Sequence, residues 1–216
     1  LDVWDPSDPR EVGNTAPFPR MAEQVALSGT FAYVAAGEAG LRVVDISDPA
    51  RPVERGFWDS PGYAQGVAVS GTAVYLADGP RGLRVVDVAD PSHPKEIGSA
   101  YTMHYAFQVT IHGQHAYIAA GGAGLLIADV SNPARPIETA SVDTPGYAYG
   151  TSVAGNTAYV ADGWEGIAVI DVADQAHPAL IASGRTDGWA MDVHASGATL
   201  YVAAGPAGLR VVDVSN

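Results

Sequence analysis

Aspartate residues form the most regular set of chemically competent side chains in this sequence. A carboxylate pair that performs acid–base chemistry needs a separation of roughly 5–10 Å, and residues placed once per repeat lie farther apart than that. We therefore predict that each aspartate accepts a backbone N–H bond at the corner that follows its strand. The five residues end five copies of one apolar segment, and they are Asp45, Asp87, Asp129, Asp171 and Asp213.

Histidines and short motifs supply no complete metal or catalytic site. His104 and His112 lie at opposite ends of one predicted strand, about 26 Å apart at roughly 3.3 Å per residue, which leaves His112 with His115 as the only close pair. The Asp-Gly pairs at 78–79 and 162–163 lack the other ligands of a calcium loop and are predicted to be tight turns. No nucleophile elbow, phosphate-binding loop, zinc-protease motif or dinucleotide fingerprint occurs. The sequence predicts no catalytic residue, no metal site and no cofactor.

A ring of aromatic side chains is the best candidate for a binding site. Once per repeat, an aromatic residue or methionine directly precedes the strand-like segment that we expect to lie innermost in the fold. Exposed aromatic side chains offer large, rigid contact area to peptides, sugars or aromatic ligands. The alternative is that these residues pack between neighbouring repeats as structural wedges. Trp164 departs from the repeat pattern in an adjacent loop and joins the candidate site. The residues at the repeated position are Met21, Tyr63, Tyr105, Tyr147 and Trp189.

Polar residues early in the predicted inner strands would line a central channel. They could bind water, a cation or a small polar ligand. The simpler interpretation is that they only fill the channel together with bound water. A glycoside hydrolase-like enzyme is a further alternative, and its acids would have to be Glu23, Asp192 and Glu165. Near-identical repeats supply the same groups several times, whereas an enzyme needs asymmetric chemistry, so we expect no enzyme. The channel residues are Glu23, Gln24, Gln65, Gln108 and Asp192.

The corner aspartates and the residues that precede the inner strands recur because the chain itself repeats. A glycine that opens the segment G-L-R-V-V-D or a close variant returns every 42 residues, at Gly40, Gly82, Gly124, Gly166 and Gly208. The repeat contains four strand-like segments, a to d, and in the second repeat they are Ala64–Ser70, Ala73–Ala77, Leu83–Val88 and Lys95–Ala100. Short turns between them require antiparallel pairing, and their near-continuous apolar character indicates sheets that are covered on both faces. Four strands in about 42 residues are typical of a β-propeller blade.

We therefore predict one all-β domain over residues 1–216, a β-propeller of five four-stranded blades. The N- and C-terminal strands would close the ring by pairing, with the segment near Arg10–Asn14 as the fourth strand of the last blade. One copy of strand c, either Leu1–Asp5 or Leu209–Asp213, is then surplus and could form an oligomer. Because the chain begins and ends within repeats, we expect it to be part of a longer protein.

The segments Leu41–Pro52 and Leu83–Pro94 resemble the LVIVD repeat family, which is named after this strand. The resemblance covers nearly the whole chain and implies a β-propeller fold. It also implies a bacterial or archaeal protein of the cell surface, and it carries no catalytic residues. The fourth repeat departs most, with Gln175 where the corner proline would stand.

The amino-acid composition excludes several classes of binding partner. The chain has 11 basic and 24 acidic residues, a net charge of −13, so nucleic acid and anionic membranes are poor partners. It has no cysteine and no apolar run of about 18 residues, so we expect neither disulfides nor insertion into a membrane. The function we expect is a non-catalytic protein-interaction or scaffold module, extracellular or at the cell surface. The alternative is a multivalent glycan-binding propeller that uses the aromatic ring.

Overall fold

The computed structural model describes residues 10–215 as five antiparallel sheets, packed in chain order as the blades of a propeller. Blade 1 contains β1 (Gln24–Ser28), β2 (Phe31–Ala35), β3 (Leu41–Asp45) and β4 (Val53–Trp58). Blade 2 contains β5 (Gly66–Ser70), β6 (Ala73–Ala77), β7 (Leu83–Asp87) and β8 (Lys95–Ala100). Blade 3 contains β9 (Gln108–His112), β10 (His115–Ala119), β11 (Leu125–Asp129) and β12 (Ile137–Val142). Blade 4 contains β13 (Gly150–Ala154), β14 (Thr157–Ala161), β15 (Ile167–Asp171) and β16 (Ala179–Gly184). Blade 5 contains β17 (Asp192–Ser196), β18 (Thr199–Ala203) and β19 (Leu209–Asp213).

The second blade agrees closely with the prediction from its sequence. Strands β6 and β8 have the predicted bounds, and β7 is one residue shorter than predicted. Strand β5 begins at Gly66 instead of Ala64, because Ala64 forms a bridge with Gly37 of blade 1. The chain is thus tied to the preceding blade before it joins its own sheet.

The hydrophobic core lies between the blades. Strands β2, β6, β10 and β14 are buried on both faces, as their continuous apolar sequences predict. Between blades 2 and 3, Tyr75, Leu83 and Val85 pack against Val109 and Ile118. Equivalent clusters join the other neighbouring blades of the described chain, so adjacent blades stabilise each other by burying apolar side chains.

The corner aspartates have the predicted structural role. Oδ1 of Asp45 accepts a hydrogen bond from the backbone N–H of Ser47 at 2.9 Å. Hydrogen bonds from Ser47 and Arg55 lower the pKa of Asp45 to about 2. The same backbone bond forms at the four other corners, where the acceptors are Asp87, Asp129, Asp171 and Asp213.

Blade 5 differs from the prediction because its sheet has three strands. No fourth strand joins β19 among residues 10–215, so the predicted closure of the ring through Arg10–Asn14 is not observed. The predicted strand Leu1–Asp5 lies outside the described residues. A 3₁₀ turn at Gly205–Ala207 is a second departure from the predicted all-β domain. Over the described part of the chain, no helix is long and apolar enough to cross a membrane.

Candidate functional site

Four of the five residues at the repeated position, all except Met21, pack as wedges between blades, which was the alternative interpretation of their spacing. Each ring lies over a glycine in the b–c loop of the preceding blade, and a Cβ added to Gly121 would lie 2.7 Å from Cζ of Tyr147. These glycines have positive φ angles, between 55° and 63°, which suit a residue without a side chain. The pairs are Tyr63 on Gly37, Tyr105 on Gly79, Tyr147 on Gly121 and Trp189 on Gly163.

Several of these rings also join into one continuous surface, which we call the aromatic strip. Phe107 and Tyr149, two positions after the ring members, bridge the neighbouring blades. Ring centroids are 4.6 Å apart for Tyr105 and Phe107, and 5.0 Å apart for Phe107 and Tyr149. The contact from Tyr149 to Trp189 is 5.1 Å, edge to face. The strip consists of Tyr105, Phe107, Tyr147, Tyr149, Trp189 and Trp164.

Trp164 ends the strip as an exposed platform. Its ring stacks on Trp189 with centroids 6.0 Å apart and planes 18° apart, yet 68% of the residue is exposed. Together with Tyr147 and Tyr149, the two indoles line an open pocket of about 390 Å³. The loop between β14 and β15 therefore presents a flat indole face to solvent.

Two charged groups flank this pocket. Glu165 lies in the pocket wall and accepts two hydrogen bonds from Arg185, at 2.6 and 3.0 Å. The Arg185 guanidinium lowers the pKa of the Glu165 carboxyl, so the pocket carries an ionised carboxylate at neutral pH. Both oxygens of this carboxylate are occupied by Arg185, so the aromatic faces are the groups that can bind ammonium or guanidinium ions or stack against sugar rings.

The other two predicted site residues lie outside the strip. Met21 is exposed at the equivalent position of blade 1, where no preceding blade is present among the described residues. The Tyr63 hydroxyl donates a hydrogen bond to Glu23, and this bond raises the pKa of Tyr63 to about 12. The structure thus brings together four of the six predicted binding residues.

Sequence and structure comparisons agree with this architecture. The LVIVD repeat matches five times, at residues 19–59, 61–102, 104–144, 145–186 and 187–216. The chain belongs to the LVIVD repeat family. No curated protein matches it. Among solved structures, the crystal structure of the computationally designed Ika8 protein is similar, with a TM-score of 0.72 and 10% identity. The match covers 90% of this chain and 59% of the designed protein, so this LVIVD chain spans less than two thirds of that length, and the likeness shows the fold alone.

Buried aspartates in the b–c loops of two LVIVD blades were missed as a feature by sequence reasoning. Asp162 is buried and accepts hydrogen bonds from the Thr144 hydroxyl at 2.6 Å and from the Gly146 N–H at 2.8 Å. Asp78 is its equivalent in blade 2 and lies 3.8 Å from Nε of Arg84. Burial raises the pKa of both carboxyl groups. The Asp-Gly sequence was predicted as a turn, and the positive φ of Gly163 agrees with that prediction. The equivalent positions 36 and 120 are alanine, so only a comparison of individual repeats could have shown that blades 2 and 4 carry an aspartate there.

The inner strands of the LVIVD blades surround a central cavity of about 500 Å³, and Gln24, Gln108 and Asp192 lie in its wall as predicted. Nε2 of Gln108 donates to Oδ1 of Asp192 at 2.9 Å, across the intervening blade. Glu23 and Asp192 line one smaller cavity together, whereas Glu165 lies in the aromatic pocket. The three acids that the enzymatic alternative requires are therefore not assembled in one site.

Histidines of the LVIVD repeats lie in strands and corners. His112 and His115 face each other across the β9–β10 turn as register partners. Nδ1 of His93 lies 2.8 Å from Asp90, and Nδ1 of His177 lies 2.9 Å from Asp174. In residues 10–215, no three histidine or acidic side chains cluster as metal ligands would.

Proposed function

We propose that this LVIVD propeller is a non-catalytic binding module that holds an extended segment of a protein partner against the aromatic strip. The continuity of the strip carries the proposal. From Tyr105 to Trp164, successive ring centroids are 4.6–6.0 Å apart across blades 3 to 5. The aromatic side chains therefore form one continuous strip along which an extended peptide segment can lie. Separate small-ligand sites would instead repeat blade by blade.

The expected partner segment carries Lys or Arg between apolar residues. The chain has a net charge of −13, which attracts a basic partner, and the faces of Trp164 and Trp189 line the pocket at the end of the strip, where Glu165 is paired with Arg185. Cations bind over the faces of Trp and Tyr, and opposite charge accelerates encounter. Aromatic residues also dominate the energy of protein interfaces because they bury large rigid surfaces.

The test uses the complete chain, labelled and applied to an array of peptides. The array pairs each Lys- or Arg-containing peptide with a copy in which Gln replaces the basic residues. We expect binding to the basic member of a pair, a weaker signal in high salt, and at least a tenfold loss in Trp164→Ala. Tyr101→Ala is the matched control, because Tyr101 is equally exposed but lies outside the strip. Equal signals from both members of every pair, or equal losses in both variants, would exclude this partner chemistry.

A glycan ligand is the second candidate, and the Trp164–Trp189 stack is the observation that favours it. An exposed indole face beside a Glu165–Arg185 pair offers a stacking surface and hydrogen-bonding groups for a sugar ring. A glycan array separates the two candidates. Signal on glycans that disappears in Trp164→Ala, with no signal on peptides, would assign the strip to carbohydrate instead of protein.

The proposal also includes an extracellular or cell-surface location, which the family resemblance implies. Protease treatment of intact cells that produce the protein tests it. Cleavage of the protein before the cells lyse is expected, and protection until lysis would contradict this location.

A further inference from the structure

Each blade has a front face, which packs against the blade that follows it, and a back face, which packs against the blade before it. The front face of blade 5 is exposed, although the same face is buried in the other blades. Leu209 and Val211 are 64% and 62% exposed. Their equivalents in blade 1, Leu41 and Val43, are fully buried against blade 2. Tyr201 is likewise exposed, whereas the equivalent tyrosines of blades 1 to 4 are buried.

The back face of blade 1 is only partly covered. Val25 is 57% exposed, while the equivalent valines of blades 2, 3 and 5 are buried against the blade before them. Phe18 of the N-terminal segment packs against Ala32, Val34 and Val44 on this face. The outer part of this face is therefore buried at Ala32, Val34 and Val44, and its exposed apolar surface lies at the inner strand, at Val25.

The N-terminal segment occupies the place of an outer strand beside blade 1. A Cβ on Gly13 would overlap the backbone of Pro49 and Ala50 at the corner of blade 1. Gly56 of blade 1 lies in the same way against the corner of blade 2, and Gly98 of blade 2 against the corner of blade 3. Residues near Gly13 therefore lie where the fourth strand of a preceding blade would lie.

The inner strands alternate between two kinds of blade. Blades 1, 3 and 5 carry Gln24, Gln108 and Asp192 at the first position of the inner strand, whereas blades 2 and 4 carry Gly66 and Gly150. The loop position that holds a buried aspartate in blades 2 and 4 holds alanine in blades 1, 3 and 5. The structural period of this chain is therefore two blades.

Each kind of blade makes a different junction with the blade that follows it. Oε1 of Gln24 accepts a hydrogen bond from the Val67 N–H of blade 2 at 2.7 Å, and Gln108 accepts one from Thr151 of blade 4. At the alternate junctions the glycines leave no room for a side chain. A Cβ on Gly66 would lie 2.7 Å from Cα of Gln108, and one on Gly150 would lie 2.8 Å from Cα of Asp192.

We infer that the exposed face of blade 5 and the exposed inner-strand edge of blade 1 form a docking site for one further repeat blade of the glycine kind. The occupant carries Gly at the first inner-strand position and Asp in its b–c loop, as blades 2 and 4 do. It is supplied from outside the described residues. A second copy of this chain does not fit, because it would present blade 1 with Gln24 after Asp192, and direct closure of five blades has the same mismatch.

The experiment extends the chain beyond Asn216 in repeat register. In the test variant the extension copies Pro133–Asp171, which is the outer strand of blade 3 followed by the first three strands of blade 4. In the matched control it copies Pro91–Asp129, of equal length, whose inner strand is of the Gln108 kind. A third variant replaces the glycine that copies Gly150 by Gln within the test extension.

We expect the test extension to raise the thermal unfolding midpoint by roughly 5 °C or more and to slow hydrogen exchange in β19 and β1. The control and the third variant should give less than half of this rise. An equal rise in the control, no rise in the test variant, or no loss on introducing Gln would overturn the inference. It would also be overturned if the 216-residue chain associates head to tail and thereby protects β19 and β1.

Discussion

The hydroxyl of Thr144 donates a 2.6 Å hydrogen bond to Oδ1 of Asp162, and both residues are buried. Thr144 lies in the loop that enters blade 4, and Asp162 lies in the loop between β14 and β15. The bond therefore joins the two loops that carry the aromatic pocket. Gly146 adds a backbone N–H to the other carboxylate oxygen, so the carboxyl group fixes the backbone beneath Tyr147.

Removing the Thr144 hydroxyl should destabilise the protein. Thr144→Val leaves a buried carboxyl short of one donor, which costs about 1–3 kcal/mol. The double variant Thr144→Val with Asp162→Ala should cost less than the sum of the single variants, since alanine stands at the equivalent position 120 of blade 3. Urea unfolding measures the cycle. Thr199→Val is the control, because Thr199 forms no side-chain hydrogen bond in the described structure; a similar loss there would contradict the assignment.

The contribution of Asp162 to stability should depend on pH. Burial raises the pKa of its carboxyl above the ordinary value of 3.8. The folded protein thus holds this proton more tightly than the unfolded chain, so the stabilisation is complete below about pH 4 and is lost as the pH rises through the raised pKa. We expect the free-energy cost of Asp162→Ala, measured by urea unfolding, to fall as the pH increases from about 4 to about 8. A cost that does not change over this range would refute the shift.

The strands and corners within a blade could be predicted from the sequence because the signals that specify them are local. Strands β6 and β8 have the predicted bounds, and Asp45 forms the predicted corner bond with Ser47. Turn residues and continuous apolar segments act over a few residues, so they can be read without the fold. The same reasoning placed Tyr147 and Trp189 on one face.

The junctions between blades and the aromatic strip could not be predicted, because they depend on residues that differ from one 42-residue repeat to the next. Averaging the repeats hid the alternation of Gln108 with Gly66, and with it the different junctions between blades. The aromatic strip required Phe107, whose ring bridges Tyr105 and Tyr149 only once the blades are packed. These features are departures from the repeat, and only three-dimensional contacts show what they do.

Glycines beneath the aromatic wedges should be far more sensitive to substitution than glycines in the hairpin turns. Gly121 and Gly113 have similar positive φ angles, 55° and 60°, so alanine is strained at both by about 1–2 kcal/mol. At Gly121 the new Cβ would also lie 2.7 Å from Cζ of Tyr147, whereas at Gly113 nothing lies within 4 Å. We expect Gly121→Ala to cost clearly more than Gly113→Ala in thermal or urea unfolding. Equal costs would show that Tyr147 does not act as a wedge.

Trp164 and Trp189 should separate binding from stability, although their rings stack on each other. Trp164 is mostly exposed, so Trp164→Ala should change the free energy of unfolding by less than about 0.5 kcal/mol. Trp189 packs on Gly163 of the preceding blade and contacts Tyr149, so Trp189→Ala should cost about 1–3 kcal/mol. Urea unfolding compares the two variants with the unchanged chain, and the peptide and glycan arrays compare their binding. A large loss of stability in Trp164→Ala would mean that this indole is part of the blade packing, and the exposed platform at the end of the strip would lose its role as a binding surface.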